Sequence, residues 1–399
     1  MIQKKLMLIA VVLMDILGGM EFDIFTPSFP RLKSLFELST FEVELLLSVN
    51  FVAYCISLMF VGTLSDNYGR KPVILWGTAI FIVGSVLCIF PETYYMMLAG
   101  RFLQGLGIAA PALLSFVIIA DEYPLEKQQY YLAMLNGVTN VSIGLAPIIG
   151  SYLTLYFDWH GNFHFLLWFG VMIMLMTILW VPDKKPVPIE KQEDKTKYSH
   201  IFRSKSLMVL ISCMVFMFAP HWIFVGVSPV LYMVDLNVEL THFGYYQGAL
   251  AGTFAIASVI FGMYMHKFKP KSMLVVSMYL FIVSIIGILA IAIFDVRSPL
   301  IITCVINFVG MAQLAPSVLL YPASMNYLPN AKGRISAVIQ AYKLLMSALG
   351  LQLAGHFYDH SFRSLGIIMV IYFILGTYLL SRITRSNAIM LRLSEKKND

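Results

Sequence analysis

Two long apolar runs are joined by the stretch Gly62-Thr63-Leu64-Ser65-Asp66-Asn67-Tyr68-Gly69-Arg70-Lys71-Pro72-Val73. We predict a short polar turn between two membrane helices here. In such a turn Gly62 lets a helix end approach a neighbour, Asp66 accepts hydrogen bonds from a helix N-terminus, and Gly69 permits a tight bend. Arg70 and Lys71 follow at the level where headgroups and cytoplasm begin, so the stretch predicts a positively charged cytoplasmic loop.

The composition indicates a membrane protein. Of the 399 residues, 59% are apolar and 13% are charged, whereas soluble proteins carry roughly twice that charged fraction. The net charge of +6 does not indicate a nucleic-acid partner, because the bases lie between apolar runs. The cysteines have no metal-ligand spacing, so we predict no disulfide, metal or cofactor. They are Cys55, Cys88, Cys213 and Cys304.

Twelve apolar runs have the length of about 20 residues that a spanning helix needs. In the first half they lie at 6–28, 42–63, 73–91, 96–120, 130–154 and 163–181. In the second half they lie at 207–232, 243–266, 272–292, 299–325, 333–355 and 364–384. We therefore predict an all-α polytopic membrane protein of two pseudo-symmetric six-helix bundles. Its parts are an N-terminal half at 1–181, a cytoplasmic linker at 182–205, and a C-terminal half with a short basic tail at 206–399.

The basic residues predict the orientation. With both termini cytoplasmic, 22 of the 28 Lys and Arg lie on the cytoplasmic side. Four face outward and two lie within helices, and inverting the chain would reverse this bias. The four outward residues are Arg31, Lys33, Arg297 and Arg363. We predict a multi-pass protein of the inner membrane.

The sequence predicts no enzyme activity, because it contains no nucleotide loop, no His-rich metal set and no nucleophile with a base. Polar residues at membrane depth are more informative, since a charge there costs at least ~2.5 kcal/mol and is usually functional or paired. The first span carries Asp15, Glu21 and Asp23. On one helix, Asp15 and Asp23 would lie about 12 Å apart along the axis and about 80° around it, so both would face one cavity. Glu21 would point away from that cavity. Alternatively, one of the three acids has no transport role and only neutralises the charge of Arg101.

A guanidinium within the fourth span requires a partner. Arg101 and Gln104 share a helix face in the string Arg101-Phe102-Leu103-Gln104-Gly105-Leu106-Gly107. We predict that Arg101 takes part in proton coupling or substrate binding, with snorkelling to the outer surface as the alternative.

The fifth span contains Gly144-Leu145-Ala146-Pro147-Ile148-Ile149-Gly150-Ser151. Pro147 removes a backbone hydrogen bond and bends the helix, while Gly144 and Gly150 let a neighbour approach. A kinked, closely packed helix without a transport role is the alternative.

Lys343 lies about ten residues into the eleventh span. A lysine at that depth pairs with an acid or binds an anionic group of a substrate. His221, after Pro220, is a further titratable candidate. Other polar positions either line a cavity or connect helices by hydrogen bonds. They are Asn50, Tyr54, Gln104, Asn136, Asn140 and Gln340.

These motifs together resemble the major facilitator superfamily over nearly the whole chain. The stretch at 62–73 resembles its loop between helices 2 and 3, and the string at 101–107 its helix-4 motif. The fifth span resembles the antiporter motif of drug/proton exporters, G-x-x-x-G-P-x-x-G-G, with Ser142, Ala146 and Ser151 in place of glycines. Segments 22–30 and 158–163 are similar to the Bcr/CflA-like branch of multidrug efflux proteins, with His160 in place of an arginine.

The resemblance implies a monomeric antiporter that works by alternating access. It implies that Asp15 and Asp23 exchange protons with substrate, and that Asp66 and Arg70 lock one state at the cytoplasmic face. We expect a proton-coupled exporter of small amphipathic compounds, whose partners are a small-molecule substrate, protons and the lipid bilayer. A proton-coupled importer of an anionic or zwitterionic metabolite or siderophore is one alternative, which Lys343 favours. A membrane sensor that transports nothing is another.

Overall fold

The computed structural model describes residues 2–183, 198–325, 327–328, 332–387 and 390, and within them every regular element is helical. The first helices are α1 (Ile2–Met20), α2 (Phe29–Leu35), α3 (Thr40–Tyr68), α4 (Arg70–Ile89), α5 (Tyr94–Glu122), α6 (Leu125–Phe157) and α7 (His160–Trp180). The later ones are α8 (Tyr198–Arg203), α9 (Lys205–Pro229), α10 (Leu240–Tyr264), α11 (Pro270–Ile293), α12 (Pro299–Met325), α13 (Lys332–His356) and α14 (Phe362–Arg385). A π-helical segment, Val230–Asp235, continues α9.

Eleven of the described helices are long and apolar enough to cross a membrane, which confirms the predicted all-α polytopic fold. The first predicted span is the exception, because α1 carries Lys4, Lys5 and Asp15 within 19 residues. It also ends at Met20, and the chain turns before the short 3-10 helix Thr26–Ser28. The predicted continuous helix over 6–28 is therefore wrong.

The stretch at 62–73 also differs from the prediction of a polar turn. Helix α3 continues through Ser65 and Asp66 to Tyr68, and Gly69 alone separates it from α4. Gly69 has a φ of 98°, a conformation that glycine adopts without strain. Helical hydrogen bonding persists to the end, since the Gly69 N–H donates to the Ser65 carbonyl. At Gly62 an added Cβ would meet open space, so this glycine permits no close approach among the described residues.

Helix ends are defined by local hydrogen bonds where the chain enters a span. Before α3, the Ser39 hydroxyl accepts from the Glu42 N–H, and the Ser39 N–H donates to Glu42 Oε2 at 2.8 Å. Before α5, Thr93 Oγ1 accepts from the Met96 N–H at 3.3 Å. Such caps satisfy N–H groups that have no partner within the helix.

The chain forms two compact units. Unit 1 comprises Met1–Glu190 and Asn237–Ala251, and unit 2 comprises Lys191–Leu236 and Gly252–Asp399. In unit 1, α5 packs on α3 and α4, α7 packs on α4, and α1 packs on α5, α6 and α7. In unit 2, α9 packs on α13 and α14, while α11 packs on α12 and α14.

The predicted division at 182–205 stays a prediction. Most of that linker, residues 184–197, lies outside the described residues. The part from 198 to 203 forms the short helix α8, which packs on α9.

Candidate functional site

The break after α1 changes the placement of the three acids. Asp15 lies on α1, whereas Glu21 and Asp23 lie in the turn that follows Met20. Helical geometry therefore does not relate Asp15 to Asp23, and Glu21 does not point away as predicted. All three carboxylates are buried, with exposed fractions of 3% or less.

Arg101 is fully buried and pairs with Glu21. Its Nη1 atom lies 2.6 Å from Glu21 Oε1 and also donates to Gln104 Oε1 at 2.6 Å. Its Nε–H donates to the Leu46 carbonyl at 3.3 Å, and its Cζ lies 4.0 Å from the centroid of the Phe25 ring. Arg101 does not snorkel to the surface, because its charge is compensated by an acid and by backbone.

Asn50 and Gln104 extend this network, and both are fully buried. Asn50 Nδ2 donates to Glu21 Oε1 at 2.9 Å and to the Arg101 carbonyl at 3.0 Å. Gln104 Nε2 donates to Ser85 Oγ at 2.9 Å. Three helices, α3, α4 and α5, and the turn after α1 thus meet at one polar cluster, and we name Glu21, Asn50, Ser85, Arg101 and Gln104 the Arg101 network.

Sequence reasoning missed two contributors to this network. Ser85 accepts the hydrogen bond from Gln104. The only indication of this in the sequence is that Ser85 is a small polar residue, next to Gly84, within an apolar run. Phe25 covers the guanidinium and had no signal, since aromatic residues are abundant throughout the chain. Gln104 was predicted either to line a cavity or to connect helices by hydrogen bonds; in the structure it is fully buried and connects α5 to α4.

Asp23 lies beside the Arg101 network without joining it. Its side chain is 2% exposed, and its Oδ1 atom accepts no hydrogen bond from any described residue. The Glu21 carboxylate lies within electrostatic range of it. The Asp23 carbonyl, in contrast, accepts from Thr26 Oγ1 at 2.8 Å, which fixes the turn. A buried carboxylate that lacks compensation favours its protonated form.

Asp15 has a partner that the sequence did not indicate. It accepts a hydrogen bond of 2.7 Å from Thr139 Oγ1 on α6. Tyr54 is half-buried, and its ring centroid lies 5.5 Å from that of Phe22. The side chains of the predicted positions Asn136 and Asn140 lie outside the described residues.

The polar junction of α3 and α4 forms a separate cluster near the surface of unit 1. Arg70 bridges two acids, with Nη1 2.5 Å from Asp66 Oδ1 and Nε 2.9 Å from Asp121 Oδ2. Lys71 Nζ donates to the Ile178 carbonyl at 2.7 Å. Asp121 was missed by sequence reasoning, because it lies at the far end of α5 and no local pattern links it to Arg70.

The motif on α6 packs tightly within unit 1. A Cβ at Gly150 would collide with the carbonyl of Ile24, next to Asp23. On the other side, Gly244 of α10 lies against Ser151 and the Pro147 carbonyl, and Gly248 faces Ile148 and the carbonyl of Gly144. Pro147 thus occupies a closely packed helix, and Gly150 positions the turn that carries Asp23.

The predicted residues of the second half lie in unit 2. His221 on α9 and Lys343 and Gln340 on α13 are all half-buried. The ring centroids of His221 and Trp222 are 5.8 Å apart. Gln313 Nε2 donates to the Met217 carbonyl at 2.7 Å, one turn before His221.

Comparison with known proteins identifies the class to which this arrangement belongs. The Major Facilitator Superfamily pattern matches residues 11–351. The chain therefore belongs to this superfamily, which confirms the resemblance found in the motifs and identifies a multi-pass membrane transporter rather than an enzyme.

Curated relatives of similar sequence carry a more specific name. "Multidrug resistance protein MdtL" of Escherichia coli O139:H28 (strain E24377A / ETEC) is 27% identical over 265 residues. The protein of that name in Shigella boydii serotype 18 (strain CDC 3083-94 / BS512) is equally similar. The match covers 65% of this chain and 66% of each relative, slightly less than two thirds of the relatives' length.

Solved structures of the same fold belong to transporters with different names. A peptide transporter POT in complex with alafosfalin superposes with a TM-score of 0.76 at 14% identity, covering 97% of this chain and 95% of that one. A D-xylose-proton symporter reaches 0.73 at 14% identity, covering 93% and 96%. A bacterial homologue of the human lysosomal transporter Spinster reaches 0.75 at 15% identity, covering 95% and 97%. At these identities the likeness shows the fold alone.

Proposed function

We propose that this chain is a proton-coupled transporter that exports small amphipathic compounds by alternating access. It acts as a monomer in the inner membrane, with both termini in the cytoplasm. The observation that carries the proposal is Asp23, a buried carboxylate with an oxygen that lacks a hydrogen bond and with no counter-charge among the described residues, beside Glu21, whose charge is paired with Arg101. The multidrug-resistance name of the curated relatives supports export.

The two kinds of buried charge suit different tasks. Glu21 and Arg101 neutralise each other, so a proton gains little by binding Glu21. Asp23 is stabilised by a proton, because protonation removes an uncompensated charge from a buried position. In the proposed cycle Asp23 binds a proton from outside and releases it to the cytoplasm. Asp15, whose carboxylate accepts a hydrogen bond from Thr139, then binds and releases a proton in the same way. Asp66 and Arg70 stabilise one state of the cycle at the cytoplasmic face.

Import on the same scaffold is the second candidate. The α6 motif has Ser142, Ala146 and Ser151 where the exporter pattern has glycine, so it departs from that pattern at three positions. Lys343 suits a substrate with an anionic group, as a metabolite or siderophore would have.

The test is solute movement in oriented membrane vesicles under an imposed pH gradient, with drugs, amino acids and iron chelates as solutes. We expect solute to move against the proton flow in the wild type and this movement to be lost in Asp23→Asn. Asp158→Asn is the matched control, because Asp158 is an exposed acid that pairs with Arg31. Solute that moves with protons would establish import. No proton-dependent movement of any solute would favour the membrane sensor.

A further inference from the structure

The link between α6 and α7 is short and closely packed. Helix α6 ends at Phe157 and α7 begins at His160, and Asp158 turns the chain between them with a φ of 56°. A Cβ at Gly161 would meet the carbonyl oxygen of Leu153 at 2.8 Å, so only a glycine fits there. The first turn of α7 therefore lies directly against the last turns of α6.

Asn162 lies in this first turn of α7, and its fully buried amide contacts four groups. Its Nδ2 atom donates to the Ile24 carbonyl at 3.1 Å and to the Gly150 carbonyl at 3.2 Å. Its Oδ1 atom accepts from Ser28 Oγ and Thr154 Oγ1, both at 2.7 Å. This amide orientation satisfies all four groups, because a carbonyl can only accept whereas a hydroxyl can also donate. We name these five residues the Asn162 clamp.

The Asn162 clamp joins three parts of unit 1 with little access to water. Ser28 belongs to the 3-10 helix that follows the turn after α1, and it is fully buried. Thr154 of α6 is 8% exposed, and its hydroxyl lies 2.9 Å from that of Ser28. A buried polar group that loses its partner is costly, and a fully satisfied buried network favours one arrangement. The clamp therefore resists separation of the turn from α6 and α7.

The clamp acts on the residue next to Asp23. The Ile24 carbonyl that Asn162 binds is also the group that a Cβ at Gly150 would strike. The carbonyl of Asp23 itself accepts from Thr26 Oγ1 at 2.8 Å. Two consecutive carbonyls of the turn are thus fixed. This holds the Asp23 carboxylate in the buried position where Oδ1 accepts no hydrogen bond from any described residue.

The Asn162 clamp contains no titratable side chain, so it influences Asp23 through position and not through charge. A charge that acts on Asp23 comes from Glu21, which is paired with Arg101 of α5. Asp15 of α1 accepts a hydrogen bond from α6, and the Tyr54 phenol of α3 is neutral near pH 7. The titratable residues at this end of α7 line a surface groove of unit 1. They are His160 and His164.

We propose that Asn162 is a positioning residue for Asp23: its amide fixes the Ile24 carbonyl against α6 and thereby keeps the Asp23 carboxylate buried and without a hydrogen-bond donor. This inference rests on the proposed function, in which Asp23 carries the proton. It adds the residue that sets where this proton is bound. A clamp that is opened lets water reach the carboxylate, and hydration favours the charged form.

The test measures the protonation of Asp23 by infrared difference spectroscopy of the purified full-length protein in liposomes as the pH is changed. The carboxylic acid C=O band that is missing in Asp23→Asn reports this residue. We expect Asn162→Leu, which keeps the approximate size of the side chain, to lower the midpoint pH of this band by about one unit. That is a tenfold loss of proton affinity, and it is a part of the 3 to 5 units that full burial can produce.

A second route to the same carbonyl makes the test independent of how well one variant folds. Gly150→Ala displaces the Ile24 carbonyl without removing the Asn162 amide, so we expect the midpoint to fall in this variant too. Thr154→Val removes a hydroxyl that contacts the amide oxygen but keeps the bond to Ile24. We therefore expect it to lower the midpoint less than Asn162→Leu does.

The matched control removes a buried amide of unit 2. Gln313 donates to the Met217 carbonyl at 2.7 Å, so Gln313→Leu loses the same kind of bond as Asn162→Leu. We expect Gln313→Leu to lower the melting temperature while the midpoint of the Asp23 band stays at the wild-type value.

Three results would overturn the inference. The first is an unchanged midpoint in Asn162→Leu, or in Gly150→Ala and Thr154→Val if Asn162→Leu does not fold; the proposed function would then stand without a role for Asn162. The second is an equal shift in Gln313→Leu, which would show that lost stability moves the midpoint. The third is a wild type without a titrating Asp23 band, which would also remove Asp23 as the proton site.

Discussion

Several described glycines of unit 1 lie against backbone atoms of a neighbouring segment, whereas the nearest atoms to the described glycines of unit 2 belong to side chains. In unit 1, a Cβ at Gly105 would overlap the carbonyl of Asn50, and one at Gly150 would overlap the carbonyl of Ile24. Backbone atoms can move only if a helix moves. Neighbours at such contacts are therefore fixed in position.

Glycines of unit 2 face more adaptable neighbours. Gly226 faces the end of the Leu351 side chain, and Gly350 faces the end of Ile223. These ends can shift by a rotamer change at modest cost. Helices α9 and α13 can therefore repack around a ligand more easily than the helices around Gly105 and Gly150.

The buried charges follow the same division. Arg101 is enclosed and held by an acid, an amide and a backbone carbonyl. Lys343 of α13, in contrast, is only half-buried. We infer that the backbone contacts of unit 1 suit charges whose positions must be fixed, such as the Glu21–Arg101 pair.

The largest expected effect comes from removing one member of the buried pair. Arg101→Leu leaves Glu21 buried without its counter-charge, and breaking such a pair typically costs about 3 to 5 kcal/mol. We expect a strong fall in the apparent melting temperature, measured by size-exclusion chromatography of heated, detergent-solubilised protein.

The matched control removes both charges. Glu21→Gln combined with Arg101→Leu is expected to be more stable than Arg101→Leu alone, because no uncompensated charge remains. A double variant that melts at the same temperature as the single one would show that Arg101 stabilises unit 1 by packing rather than by charge.

An intermediate effect is expected from glycine substitutions that test the two packing modes. Gly150→Ala must displace the Ile24 backbone, and overpacking of this kind costs about 1 to 3 kcal/mol. Gly226→Ala meets only the tip of Leu351, so its melting temperature is expected to fall less. If Gly226→Ala is as damaging as Gly150→Ala in the same thermal assay, the proposed difference in rigidity between the units does not hold.

The smallest effect is expected at Lys343. Lys343 is half-buried rather than enclosed in a packed core, so we expect Lys343→Met to change the free energy of unfolding by less than about 1 kcal/mol, in the range of most such substitutions. The same heated chromatography assay, run beside Arg101→Leu, checks this ranking. A loss as large as that of Arg101→Leu would place Lys343 among the structural charges and remove the contrast between the units.

The amino-acid sequence was sufficient to predict the helical membrane fold and the superfamily, because apolar runs of spanning length and short motifs are local properties of the chain. It was also sufficient to select Arg101 as a buried base that requires an acid. Local pattern could not identify which acid, since α1 was predicted to continue through Glu21 and Asp23. Two glycines before Met20 and prolines at 27 and 30 indicate in retrospect that a helix would end there.

Only the tertiary structure decided the partners of the polar residues. Glu21 meets Arg101, Asp15 meets Thr139, and Asp121 joins Arg70 across 51 positions of sequence. Membrane burial requires each such group to find a partner, but it does not specify which one, because that depends on how the helices pack. The length of the apolar runs therefore determined where the helices lie. Close packing at glycines determined which charges are paired, and it left Asp23 Oδ1 without a hydrogen bond.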